Sequence, residues 1–130
     1  MKVIDSSGWL EFFTDGPLAE EYAGHLSDLS QIVTPTIVLY EVYKRVKRER
    51  GEDEALVAAA QLKKTEVILL TETIALKAAD LSLEHRLAMA DAVVYATAQL
   101  RDLVLITSDD DFEDLPGVLY LPKPTKESSP

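Results

Sequence analysis

Short apolar runs alternate along the chain with longer stretches whose apolar residues recur every three or four positions, the pattern of strands followed by helices. Lys2-Val3-Ile4 reads as a strand that stops at Asp5. Ser7 to Phe13 reads as a short helix, Asp15-Gly16-Pro17 breaks it, and Leu18 to Leu29 forms a second. Gln31-Ile32-Val33 is the next strand. Thr34-Pro35 then suits a helix start, with Thr34 as N-cap and Pro35 where its missing N–H does no harm. That helix runs to about Arg50, and Gly51 stops it.

The second half repeats the scheme. Asp53 to Lys64 is a helix, Glu66 to Leu70 a strand, and Thr71 to Thr73 supply caps for a helix reaching Leu83 or beyond. Asp91 to Leu100 is helical, Leu103 to Ile106 is an apolar run expected of a strand buried on both faces, and Gly117 to Leu121 is the last strand. The polar, Pro-rich segment 122–130 is a C-terminal tail to a single folded unit spanning 1–121. Such alternation implies an α/β fold, a mostly parallel sheet with helices on both faces, whose ligands gather at the carboxyl ends of the strands.

Composition narrows the chemistry. The 130 residues are 47% hydrophobic and 28% charged, ordinary values for a soluble globular domain, and no run is long enough to span a bilayer. Asp5 interrupts the N-terminal apolar residues too early for a secretory signal, so a cytoplasmic location is expected. Cysteine is absent, which removes disulfides, thiolate nucleophiles and sulfur-ligated metals. His25 and His85 stand far apart without motif context, so any metal would be a hard ion held through oxygen. The net charge of −10 opposes passive nucleic-acid binding unless bound cations supply positive charge.

Four acids stand in unsuitable places. Asp5 and Asp109 follow the ends of strands. Glu41 lies mid-helix with Ile37 and Val38 on its own face, and Asp91 sits within Leu87-Ala88-Met89-Ala90-Asp91-Ala92-Val93-Val94. Asp5, Asp91 and Asp109 each suit an ordinary helix-capping role, whereas Glu41 is too deep in its helix to cap and has Lys44 or Arg45 as ordinary partners. Taken together, carboxylates brought to one edge of a sheet repel by about 4 kcal/mol per pair at ~4 Å and an effective dielectric near 20. A divalent cation offsets that repulsion and the cost of burial at once.

In Val3-Ile4-Asp5-Ser6-Ser7, Thr34-Pro35-Thr36-Ile37-Val38-Leu39-Tyr40-Glu41-Val42, the stretch Leu87 to Ala98 and Leu105-Ile106-Thr107-Ser108-Asp109-Asp110-Asp111-Phe112, the chain resembles the PIN-domain family, and within it the VapC-type toxins of toxin–antitoxin pairs. The resemblance runs from Met1 to about Leu121. It implies a three-layer α/β/α fold with a five-stranded sheet, and endoribonuclease activity with Mg²⁺ or Mn²⁺. It implies that Asp5, Glu41, Asp91 and Asp109 form the acidic quartet; within it we expect Asp5, Asp91 and Asp109 as metal ligands, with Glu41 binding directly or orienting the attacking water. Ser7 and Thr107 match supporting hydroxyls, and Asp111 matches an occasional extra acid. RNA as substrate, a homodimer and an antitoxin covering the acidic pocket are implied by the same resemblance.

Lys44, Arg45 and Arg48, with Lys47 and Arg50, make one basic cluster on the helix that carries Glu41. It reads either as RNA or partner contacts or as a solvated helix end that complements the helix dipole. Trp9, Phe12 and Phe13 read as core or dimer contacts. The competing functions are a non-catalytic RNA- or protein-binding module of the same fold and a receiver-type signalling domain. The latter wants paired acids after the first strand and an acid after the third, where this chain has one acid and Leu70-Thr71. A phosphohydrolase using Asp5 as nucleophile would want an acid where Ser7 stands.

Overall fold

The central strands are built from residues that cannot face water. Val3, Ile4, Ile32, Val33, Leu105 and Ile106 are all buried, and they come from three strands that lie side by side. The computed structural model describes residues 1–124. Five strands, β1 (Lys2–Ile4), β2 (Ile32–Pro35), β3 (Glu66–Ile68), β4 (Val104–Thr107) and β5 (Val118–Tyr120), form one sheet in the order β3-β2-β1-β4-β5, with every pairing parallel. Six α-helices connect them among the described residues: α1 (Ser6–Phe13), α2 (Ala19–His25), α3 (Thr36–Arg50), α4 (Glu52–Leu62), α5 (Glu72–His85) and α6 (Met89–Leu100).

The chain steps outward from β1 to β2 to β3 and then returns across β1 to β4. Right-handed crossovers therefore place the outward helices on one face and the return helices on the other, giving the α/β/α layering. The order reverses between β1 and β4, so the crevice at a topological switch point opens at the carboxyl ends of these two strands. A receiver-type sheet has the order 2-1-3-4-5 instead, and that alternative is set aside. The return helix α6 is buried over seven consecutive residues, Ala92 to Ala98, and packs on α5, α3 and the sheet. Among the described residues, no helix is long and apolar enough to cross a membrane.

Several boundaries differ from the sequence reading. Thr34 and Pro35 belong to β2, and α3 begins at Thr36 without a side-chain cap. A residue before proline favours extended backbone, and the buried Thr34 hydroxyl bonds Thr65 Oγ1 at 2.6 Å instead of capping. The helix expected over Leu18 to Leu29 ends at His25, because Asp28 accepts the Ser30 amide and hydroxyl and closes a separate turn. Strand β3 stops at Ile68; Leu69 and Leu70 are exposed beyond the sheet edge. Val104, expected to be buried, is exposed at the start of β4. Helix α6 begins two residues before Asp91, which makes that acid a first-turn residue and not a cap. Of the predicted tail, 122–124 has no regular structure, and 125–130 lies outside the described residues.

Candidate metal centre

Asp5 leaves β1 directly into α1. Its position is that of an N-cap, yet its side chain makes no capping bond. Instead Oδ2 accepts two hydroxyls, from Ser7 and Thr107, each at 2.9 Å. Thr107, at the end of β4, also accepts the Asp109 amide at 3.0 Å, while Ser7 accepts the Ser108 amide at 3.0 Å. Two hydroxyls thus tie the start of α1 to the loop after β4 and hold the buried Asp5 carboxylate between them.

The other acids converge on the same crevice. Asp5, Glu41, Asp91 and Asp109 all line one cleft of about 240 Å³. At its rim, one carboxylate oxygen from each of Asp91, Asp109 and the exposed Asp111 lies within 4.8 Å of the other two. Asp111 therefore belongs to the tightest group, whereas Asp5 and Glu41 stand at its side. The turn after β4 explains this: Asp109 Oδ1 accepts the Asp111 amide at 2.9 Å, which folds the Asp109-Asp110-Asp111 run back on itself. The capping role that Asp109 suited on sequence grounds is thus real, and it leaves the second oxygen for other work.

Burial first, and then charge repulsion, are written into the protonation of the site. Burial, and then the charges of Asp109, Asp5, Glu41 and Asp111, push Asp91 up to about 7 from 3.8. Glu41 is raised by burial and by Asp5, with Ser6 pulling the other way. Asp5 is raised by burial, against the lowering effect of the Thr107 and Ser7 hydroxyls. Among the described residues no Lys, Arg or His forms an ion pair with any of these acids. Oxygen-only donors, three of them within reach of one point and none neutralised by a side chain, suit a hard divalent ion. The residues present fit such an ion.

Tyr22 and Glu11, neither singled out by the sequence, also neighbour the site. Tyr22 on α2 is fully buried and its phenol meets Ser108 Oγ at 2.6 Å, and burial drives that phenol up to about 12. The signal was Gly8 inside α1, since a glycine within a helical pattern marks a close approach: a Cβ there would run into the Tyr22 ring and would stand 2.9 Å from Ile4 Cγ2. Glu11 borders the cleft, buried, with Oε1 unpartnered. Lys123, after β5, lines the cleft together with Arg45. Lys44, Arg45 and Arg48 lie in a second groove beside Glu41. Trp9 is core and stacks on Phe13 with centroids 5.9 Å apart, while Phe12 is exposed.

The PIN-domain family model matches residues 2–118. Among solved structures, a toxin–antitoxin complex from Klebsiella pneumoniae matches with a TM-score of 0.77 at 28% identity, over 92% of this chain and 96% of that one. VapC20 of Mycobacterium tuberculosis, described as a sarcin–ricin loop cleaving toxin, matches with a TM-score of 0.78 at 20% identity, over 95% of this chain and 100% of that one. VapBC2 from Rickettsia felis, bound to a promoter DNA fragment, matches with a TM-score of 0.74 at 16% identity, over 95% and 98%. The last two, at such identities, speak for the fold alone. No curated protein matches the sequence.

Proposed function

Because the chain belongs to the PIN-domain family, we propose that it is an Mg²⁺- or Mn²⁺-dependent endoribonuclease, the toxin of a toxin–antitoxin pair. The observation that carries this reading is the convergence of Asp5, Glu41, Asp91 and Asp109 on one cleft, with Asp111 close to Asp91 and Asp109, and without a counter-cation among the described ion pairs. A divalent ion held there would lower the pKa of water and stabilise charge on the scissile phosphate and leaving oxygen.

The chain's own residues have separate tasks in this proposal. Asp5, Asp91 and Asp109 hold the ion, with Asp111 at its exposed side. Ser7 and Thr107 fix the Asp5 carboxylate through their hydroxyls, so that the ligand is oriented before the ion arrives. Glu41, half-buried on α3, is a further ligand or the group that orients the attacking water. Lys44, Arg45 and Arg48 are the candidate contacts for RNA phosphates. The same reading makes segment 1–121 the nuclease unit and 122–130 its tail, places the protein in the cytoplasm, and gives it a second copy and an antitoxin as partners.

The test is cleavage of RNA by the purified chain with and without EDTA. Chelation abolishes cleavage while leaving the domain folded, since its core of valines, isoleucines and alanines does not depend on the ion. Asp5→Asn and Asp91→Asn fold but do not cut. Full nuclease activity in either variant sinks the assignment.

A further inference from the structure

Tyr40 is a large aromatic residue left 57% exposed on α3, immediately before Glu41. With Lys44 and Arg48 it forms a ridge at intervals of four residues, along one face of the helix. Lys44 Nζ lies 5.4 Å from the Tyr40 ring centroid and 3.3 Å from its hydroxyl. Across from this ridge, Ser6 and Leu10 of α1 form the opposite wall of a groove. Ser6, Leu10, Glu41 and Arg45 border both this groove and the carboxylate cleft, so the two depressions are continuous.

The groove is positively charged on a protein of net charge −10. Arg45 and Arg48 lean on a single carboxylate, Glu49, at 2.7 and 3.7 Å, and Lys44 forms no ion pair among the described residues. A helix-dipole role accounts for Lys47, Arg48 and Arg50, which stand in the last turn of α3. It does not account for Lys44 and Arg45, which come earlier, nor for an uncovered ring beside them.

We propose that this groove carries a single-stranded RNA away from the carboxylate cleft, one base stacked on Tyr40 and the adjoining phosphates on Lys44, Arg45 and Arg48. The inference rests on the ribonuclease reading and adds a stacking residue and a path to it. A flat, exposed ring next to cations is the arrangement that holds unpaired nucleotides without reading their sequence. An acidic peptide is the less suitable occupant, because a run of carboxylate side chains offers no planar group to stack on the ring.

The experiment measures Mn²⁺-dependent cleavage of a labelled single-stranded RNA by the full chain and by Tyr40→Leu, Tyr40→Phe, Lys44→Ala and Arg48→Ala, at several salt concentrations. Loss of one stacked base corresponds to a rise of about 5- to 150-fold in KM for Tyr40→Leu, with the loss falling on KM and not on kcat. Tyr40→Phe keeps the ring and stays near the parent. Lys44→Ala and Arg48→Ala each reduce the salt slope of log(1/KM) by about 0.7, one phosphate contact on a single strand. Parental KM in Tyr40→Leu overturns the proposal while the nuclease reading stands. Parental salt slopes in the two cationic variants, with loss of binding to an oligoglutamate peptide, also overturn it and make the groove a protein-docking surface. A parent chain that cuts no RNA removes the nuclease reading, and the groove proposal falls with it.

Discussion

The phenol of Tyr22 and the hydroxyl of Ser108 meet at 2.6 Å across 86 residues of sequence. This bond links α2 to the loop that presents Asp109 and Asp111. Tyr22→Phe keeps the ring packing and removes the bond, at a cost of about 1 kcal/mol in urea unfolding. Because Ser108 adjoins Asp109, Mn²⁺ affinity measured by calorimetry also falls. Unchanged affinity alongside lost stability would make the bond purely structural.

Gly8→Ala sets two effects against each other. Alanine inside a helix is favoured over glycine by about 1 kcal/mol. Here the added methyl lands on the Tyr22 ring and against Ile4, and overpacking of a tight core costs about 1–3 kcal/mol. The clash outweighs propensity, so the variant has a lower Tm than the parent. A higher Tm shows that the ring can move aside.

Thr107→Val is nearly isosteric and tests orientation of the ligand. It removes one of the two hydroxyls on Asp5 Oδ2 and the acceptor of the Asp109 amide. Loss of an outer partner of this kind weakens metal binding by about 10- to 100-fold. Titration with Mn²⁺ reads the effect directly, and circular dichroism confirms that the fold persists.

The acid cluster makes stability depend on pH in an unusual sense. Asp91, pushed up to about 7, keeps its proton in the folded metal-free chain where the unfolded chain, at 3.8, has released it. Asp5 and Glu41 shift in the same direction. The folded state therefore binds more protons over this window, and the Tm in EDTA falls as pH rises from about 4 through 7. Saturating Mg²⁺ removes the slope. Asp91→Asn flattens it without metal, and a Tm that climbs over the same range contradicts the assignment.

Much of this was visible in the sequence. Asp5, Glu41, Asp91 and Asp109 could be marked because each breaks an apolar pattern, and the sheet could be anticipated because strands alternate with helices. What the sequence concealed is contact at a distance. Asp111 looked secondary until the turn capped by Asp109 carried it into the cluster. Tyr22 had no local mark at all; only Gly8, in a different helix, hinted that something large approached. Thr34 misled because its hydroxyl had a better partner in Thr65, 31 residues away, than in the helix that follows.

Strand order has a consequence for the protein during its synthesis. Asp5 is translated well before Thr107, at the end of β4, and Asp109, in the loop that follows it; that strand is inserted late beside β1. A chain stalled or truncated before β4 lacks that strand and the Asp109 carboxylate that completes the cleft. An unfinished copy thus lacks the assembled carboxylate cluster, and the proposed activity waits on the segment that follows β4.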